Sequence, residues 1–81
     1  MLDEKTKELI AIGASITANC LPCLDYHTDK ARELGIVDAD ILAAIEMGKL
    51  VRTGATKKMD GYAANRVGVP QPAATSGGCC P

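Results

Sequence analysis

The sequence has 81 residues, enough for one small domain and too few for two. Its nine basic and ten acidic side chains leave a net charge of −1, and no basic block is dense enough to argue for nucleic acid. Only 2% of residues are aromatic although 47% are hydrophobic, so the core must be small and built from Leu, Ile, Val and Ala, which predicts self-association.

No apolar run approaches the roughly 18 residues of a membrane span. The opening Met1-Leu2-Asp3-Glu4-Lys5 lacks a signal-peptide pattern. A cytoplasmic location is therefore expected, where thiols are kept reduced. Four cysteines in that compartment point to redox or metal chemistry rather than to a disulfide staple.

Residues 4–18 read as a first helix. Leu9, Ile12, Gly13 and Ile16 recur at helical spacing as a core stripe, widened by Ile10, Ala14 and Thr17. A helix apolar over more than half its circumference is expected to be buried between neighbours. Asp3 and Glu4 stand where the helix dipole favours negative charge. By pattern alone, Glu8 reads as a solvated carboxylate.

Residues 20–34 read as a second helix, with Asn19 as its N-cap and Pro22 in its first turn, where a missing N–H costs nothing. Leu24, Ala31 and Leu34 are its apolar positions, and Gly35 is the stop signal. Asp38 is expected to cap a third helix that starts near Ala39 and runs to about residue 58. Gly48 and Gly54 weaken it on propensity, or mark close approach of another helix. Residues 59–65 either extend it or form a short fourth helix. With no period-two pattern anywhere, the fold class is all-α, a small bundle of three to four helices. From Val67 the composition turns rich in Pro and Gly and ends in Cys79-Cys80-Pro81. The organisation is thus a helical domain over residues 1–66 and a flexible tail over 67–81.

The chemistry is concentrated in Asn19-Cys20-Leu21-Pro22-Cys23-Leu24-Asp25-Tyr26-His27. It is a C-x-x-C followed four residues later by the single histidine of the chain. On a helix, Cys20, Cys23 and His27 would share one stripe. The positive end of a helix stabilises a thiolate, lowering a cysteine pKa from roughly 8.5 into a range of about 3.5–7.5. Such a thiolate attacks disulfides and peroxides, and a second cysteine one turn away can close a disulfide. His27 could accept or deliver the proton. The competing readings are half of a zinc site, an ordinary partly buried histidine, and cysteines with no role. Together with Cys79 and Cys80, the pair could also bind zinc or a soft metal or metalloid, making a binding protein rather than an enzyme. Alternatively, Cys79 and Cys80 could serve as a mobile dithiol acting on the Cys20–Cys23 disulfide. No nucleotide or flavin motif is present, so no cofactor is expected and the electrons must come from outside the chain.

Glu8, twelve residues before the C-x-x-C, completes a constellation with Cys20, Cys23 and His27. With Ala31 to Gly35 and the run Asp40-Ile41-Leu42-Ala43-Ala44-Ile45, it resembles the alkylhydroperoxidase D-like branch of the carboxymuconolactone decarboxylase family over residues 4–64. The resemblance implies an all-α thiol peroxidase or disulfide oxidoreductase. In it Cys23 attacks peroxide, Cys20 is the more exposed partner that resolves the sulfenic acid, and Glu8 and His27 relay protons. It also implies a homotrimer or homohexamer, a peroxide or disulfide substrate, and an external dithiol protein as reductant. The lactone decarboxylases of the same superfamily lack the cysteine pair, which argues against that activity here. The chain departs from the resemblance in its shortness, in Pro22 and in the cysteine tail.

Overall fold

A computed structural model describes residues 1–68. It contains three helices, α1 Glu4–Thr17, α2 Leu21–Glu33 and α3 Asp38–Arg66, and no strand among the described residues. The fold class is all-α, as expected. Residues 59–65 continue α3 rather than forming a fourth helix. The expected tail lies almost wholly outside the described residues, because these end at Gly68. No helix in the described part is long and apolar enough to cross a membrane.

By its internal contacts the chain divides into two units within α3, one covering Met1–Lys49 and the other starting at Leu50. The first unit holds the core. Ile12 and Ala31 are completely buried, Ile36 and Ile41 nearly so, and Leu9, Leu24, Leu34, Ala44 and Ile45 pack around them. Except for Leu34 and Ile36, which lie in the link between α2 and α3, these are helical-spacing positions of the three helices, and the amphipathic pattern closes on one cluster. The expected breadth of the apolar face of α1 is not matched in the single chain. Ile10 is 55% exposed and Ala14 is exposed, since only one flank of α1 meets other helices. In the second unit, Gly54 is buried and Met59 and Tyr62 are exposed. There Thr56 Oγ1 donates to the carbonyl of Arg52 one turn earlier.

Helix ends follow from local chemistry. Asp3 caps α1, its Oδ1 accepting from the Thr6 amide at 2.8 Å. Hydrogen bonding from Thr6, by its side chain first and then by its amide, holds the Asp3 carboxyl below its ordinary pKa. Two chain reversals use the same device, a residue in the left-handed region flanked by two crossed amide bonds. At the end of α2, Gly35 (φ 80) donates to Arg32 O and Ile36 donates to Ala31 O. At the end of α1, Asn19 (φ 55) donates to Ile16 O and Cys20 to Ser15 O. Both are Schellman endings, and asparagine is the usual substitute for glycine there. Asn19 therefore ends α1 and is not the N-cap of α2. Asp38, expected as a cap, is instead the first residue of α3. The carbonyl of Val37 accepts from Asp40 and Ile41, and the Asp38 carboxylate lies 3.7 Å from Arg32 Nε across the turn.

α1 meets the first half of α3 backbone to backbone at two glycines. A Cβ on Gly48 would run into the carbonyl oxygen of Gly13 and stand 2.8 Å from Ile16 Cβ, and a Cβ on Gly13 would lie 3.3 Å from Ala44 O. Thr17 seals the crossing, its Oγ1 within hydrogen-bond reach of Gly48 O at 3.0 Å and Gly13 O at 3.1 Å. Close approach, not weak propensity, is the reason for glycine at 48. We expect Gly48→Ala to destabilise the fold by about 1–3 kcal/mol, the usual cost of overpacking a tight contact. A shift of the urea midpoint to lower concentration would measure it, and an unchanged midpoint would contradict the close crossing.

Candidate thiol site

Cys20 sits between two helices and is bonded to both. Its amide closes the end of α1 on Ser15 O at 3.0 Å, and its carbonyl accepts the Leu24 amide at 3.1 Å. It is the N-cap of α2, and its Sγ accepts from the Cys23 amide at 3.3 Å. A sulfur here does the work that an oxygen of Ser or Asp does in an ordinary cap. Pro22 lies in the first turn, where no amide partner is lost. Cys20 and Cys23 are joined as a disulfide with their Cα atoms 5.2 Å apart.

The two cysteines differ in access. Cys20 is partly buried and Cys23 is exposed. The resemblance had implied the reverse order, with Cys20 the more open. The physical reason lies in the junction, because Cys20 is pulled against the end of α1 by its bond to Ser15. Cys23 falls on the outer side of the first turn, next to the exposed Leu21 and Pro22.

One helical turn beyond Cys23 stands His27. Its Nδ1 lies 2.7 Å from Oε1 of Glu8 on α1. The side chain of Glu8 is 14% exposed and that of His27 28%, so the pair is largely withdrawn from water. Glu8 is thus not a solvated carboxylate. An ionised carboxylate only accepts, so the imidazole donates from Nδ1 and keeps Nε2 available for chemistry. The ring of Tyr26 meets the His27 ring edge-on, with centroids 5.0 Å apart and planes at 85°. The sequence reading did not single out Tyr26. Its signal was adjacency to His27 and a three-residue spacing from Cys23.

The structure therefore brings Cys20 and Cys23 together, and Glu8 and His27 together, on the α1–α2 hairpin. Cys79 and Cys80 lie outside the described residues, so the four-cysteine ligand set is not assembled in them. Among the described residues no three His, Cys, Asp or Glu side chains are grouped as metal ligands would be.

A cysteine pair at the start of α2, backed by an imidazole of the same helix and a carboxylate of the preceding one, marks an all-α protein with a C-x-x-C centre. The chain matches the model of the carboxymuconolactone decarboxylase family over residues 1–64, and it belongs to that family. A curated relative from Paracoccus denitrificans, described as "Uncharacterized protein 4 in cox locus", is 35% identical over 54 residues. The match takes in 67% of this chain and 49% of that protein, so the chain spans about half the length of this relative. No solved structure matches the chain.

The Glu8–His27 bond has a direct spectroscopic consequence. We expect imidazole ¹⁵N spectra of the neutral ring to place the proton on Nδ1 in the natural chain. In Glu8→Ala the proton should move toward Nε2, as in free histidine. An identical tautomer in both proteins would remove Glu8 as the partner that orients the ring.

Proposed function

We propose that this protein is a thiol-dependent redox enzyme of the alkylhydroperoxidase D-like branch, a disulfide oxidoreductase that also reduces hydroperoxides. The observation that carries this reading is the 2.7 Å contact between Glu8 and His27. It joins α1 to the turn of α2 that follows Cys23. A part-buried carboxylate–imidazole pair one turn from a dithiol is an arrangement suited to proton transfer to and from sulfur.

In the proposed cycle the Cys23 thiolate attacks the distal oxygen of a hydroperoxide. His27 has taken up the Cys23 thiol proton as imidazolium; the O–O bond breaks, the alcohol leaves with that proton, and Cys23 becomes a sulfenic acid. Cys20 then attacks the Cys23 sulfur, its thiol proton passing through His27 to the departing hydroxide, which leaves as water, giving the disulfide. With a disulfide substrate, Cys23 forms a mixed disulfide and Cys20 resolves it in the same way. Two electrons from an external dithiol protein return the pair to the reduced form. Glu8 holds the imidazole and stabilises its charged form between the two proton transfers. The cycle suits a reducing compartment such as the cytoplasm.

Self-association is part of the proposal. The first unit buries only four apolar side chains fully or nearly so, while Ile10, Leu42 and Met47 are each more than half exposed. Covering such residues with a second copy would supply the burial that a chain this short lacks. A trimer or hexamer is expected at micromolar concentration by sedimentation equilibrium. A cooperatively folded monomer there would contradict it.

The chemistry is tested at the residues named. Cys23→Ser should abolish sulfenic acid formation with an alkyl hydroperoxide, and Cys20→Ser should let it accumulate. Glu8→Gln and His27→Asn should slow oxidation of the pair by about 10²-fold or more with helical circular dichroism unchanged. Unchanged rates in both would return the two residues to a structural role. Metal content after purification under reducing conditions separates the binding-protein alternative. Stoichiometric zinc or another soft ion, lost in a Cys79→Ser, Cys80→Ser variant, would favour that reading over the redox one.

A further inference from the structure

We propose that Tyr26 is a positioning residue of the site, whose ring sets the plane of the His27 imidazole and so keeps Nε2 directed at the turn that carries Cys23. The inference rests on the redox reading above and adds to it a residue that acts only through His27.

The place of Tyr26 is the first ground. The chain has two aromatic residues, both tyrosines, and one histidine. Tyr26 is 62% exposed and is not among the residues of the core. A ring that buries so little of itself is not there for hydrophobic packing. What it does contact is the imidazole, edge-on, with ring centroids 5.0 Å apart and planes at 85°. Perpendicular ring pairs at such a distance attract, because the positive edge of one meets the negative face of the other. Consecutive residues on a helix point about 100° apart, so adjacency in sequence does not by itself produce this contact.

The second ground is what Glu8 leaves unset. The torsion that turns a histidine ring has broad, roughly two-fold minima. The bond from Nδ1 to Glu8 decides between the two opposite settings, since turning the ring over would present a carbon to Oε1. Within the chosen setting it is a loose guide, because a long glutamate side chain can bend to follow the ring. Tyr26 is stiffer, a flat ring on a short stem, and it is carried by the same helix as His27. Helical side chains lean back toward the N-terminus of their helix. Tyr26 and His27 therefore both lean toward the turn that holds Cys23.

Two contacts on one ring thus divide the work. Glu8 fixes which nitrogen carries the proton, and Tyr26 limits how far the plane swings. Proton transfer needs Nε2 within about 2.6–3.2 Å of its partner or of one bridging water. A misplacement of about 1 Å at such a contact can cost about 10²-fold in rate. The contact is made between rings, so the hydroxyl of Tyr26 has no part in it.

The test is a double-mutant cycle on the reduced full chain. Reaction with tert-butyl hydroperoxide is stopped by alkylation, and free thiol at residues 20 and 23 is counted by peptide mass. We expect Tyr26→Leu to slow oxidation of the pair by about fivefold or more, and Tyr26→Phe to keep the natural rate. In a His27→Asn background, itself slow, Tyr26→Leu should change nothing further, as a residue that acts through His27 requires. The carbon-bound proton resonances of the His27 ring should move in Tyr26→Leu and hold in Tyr26→Phe. Equal losses in both backgrounds would make Tyr26 a group that meets the hydroperoxide itself, and would overturn the proposal. So would a Tyr26→Phe as slow as Tyr26→Leu, or imidazole resonances that stay in place. A Tyr26→Leu that lowers the urea midpoint but not the rate would reduce the ring to a structural role and overturn it as well. In each of these cases a slow His27→Asn leaves the redox reading standing. A His27→Asn at the natural rate removes the proton carrier from that reading, and this inference with it.

Discussion

The site depends on the six-residue reversal from Ser15 to Cys20. Asn19 in the left-handed region and the Cys20 amide on Ser15 O turn the chain from α1 into α2 without a loop. A reversal this tight leaves little freedom in how the two helices lie together. Glu8 sits seven residues before Ser15 and His27 seven after Cys20, so the fold of the junction brings them level. The 2.7 Å contact between them follows from that symmetry about the turn. The sulfur chemistry depends on it too, because the residue that completes the reversal is also the first cysteine.

Much of the fold was legible in sequence. Apolar spacing placed α1, α2 and the start of α3 within a residue or two of where they lie, since amphipathic period and Gly35 are strong local signals, while the end of α3 lies at Arg66 rather than near residue 58. Gly48 could be read two ways, and only the packing of α1 against it decided for close approach. The cap errors have one cause. Asn is favoured both before a helix and in the left-handed position after one. With α1 and α2 so close, the same Asn19 qualified for either role. Asp38 failed for a related reason, since an acidic side chain suits the first helical turn as well as the cap.

All four site residues are legible in the sequence, but not their relation. Spacing gave the stripe of Cys20, Cys23 and His27. It could not show that Glu8 leaves solvent, because that depends on how α1 and α2 are joined. The relative exposure of the two cysteines was likewise beyond pattern. It is fixed by a backbone hydrogen bond from Cys20 to Ser15, and amide bonds of this kind leave no trace in residue type. Tyr26 escaped notice because neighbours in sequence on a helix seldom face one another, yet its ring edge meets His27.

The glycine crossing also sets the register of the bundle. Gly48 fits against Gly13 because neither presents a side chain there. Sliding α3 along α1 by one helical turn in either direction would bring Ala44 or Arg52 to that spot, and each carries a Cβ that the gap excludes. The pair thus acts as a notch that admits one alignment, and Thr17 latches it by reaching the Gly48 carbonyl. Hydrophobic side chains such as Ile and Leu would tolerate several offsets at similar cost, so a core made of them specifies that helices meet but not where. In a chain with so few large side chains to interlock, alignment is carried by the absence of two of them.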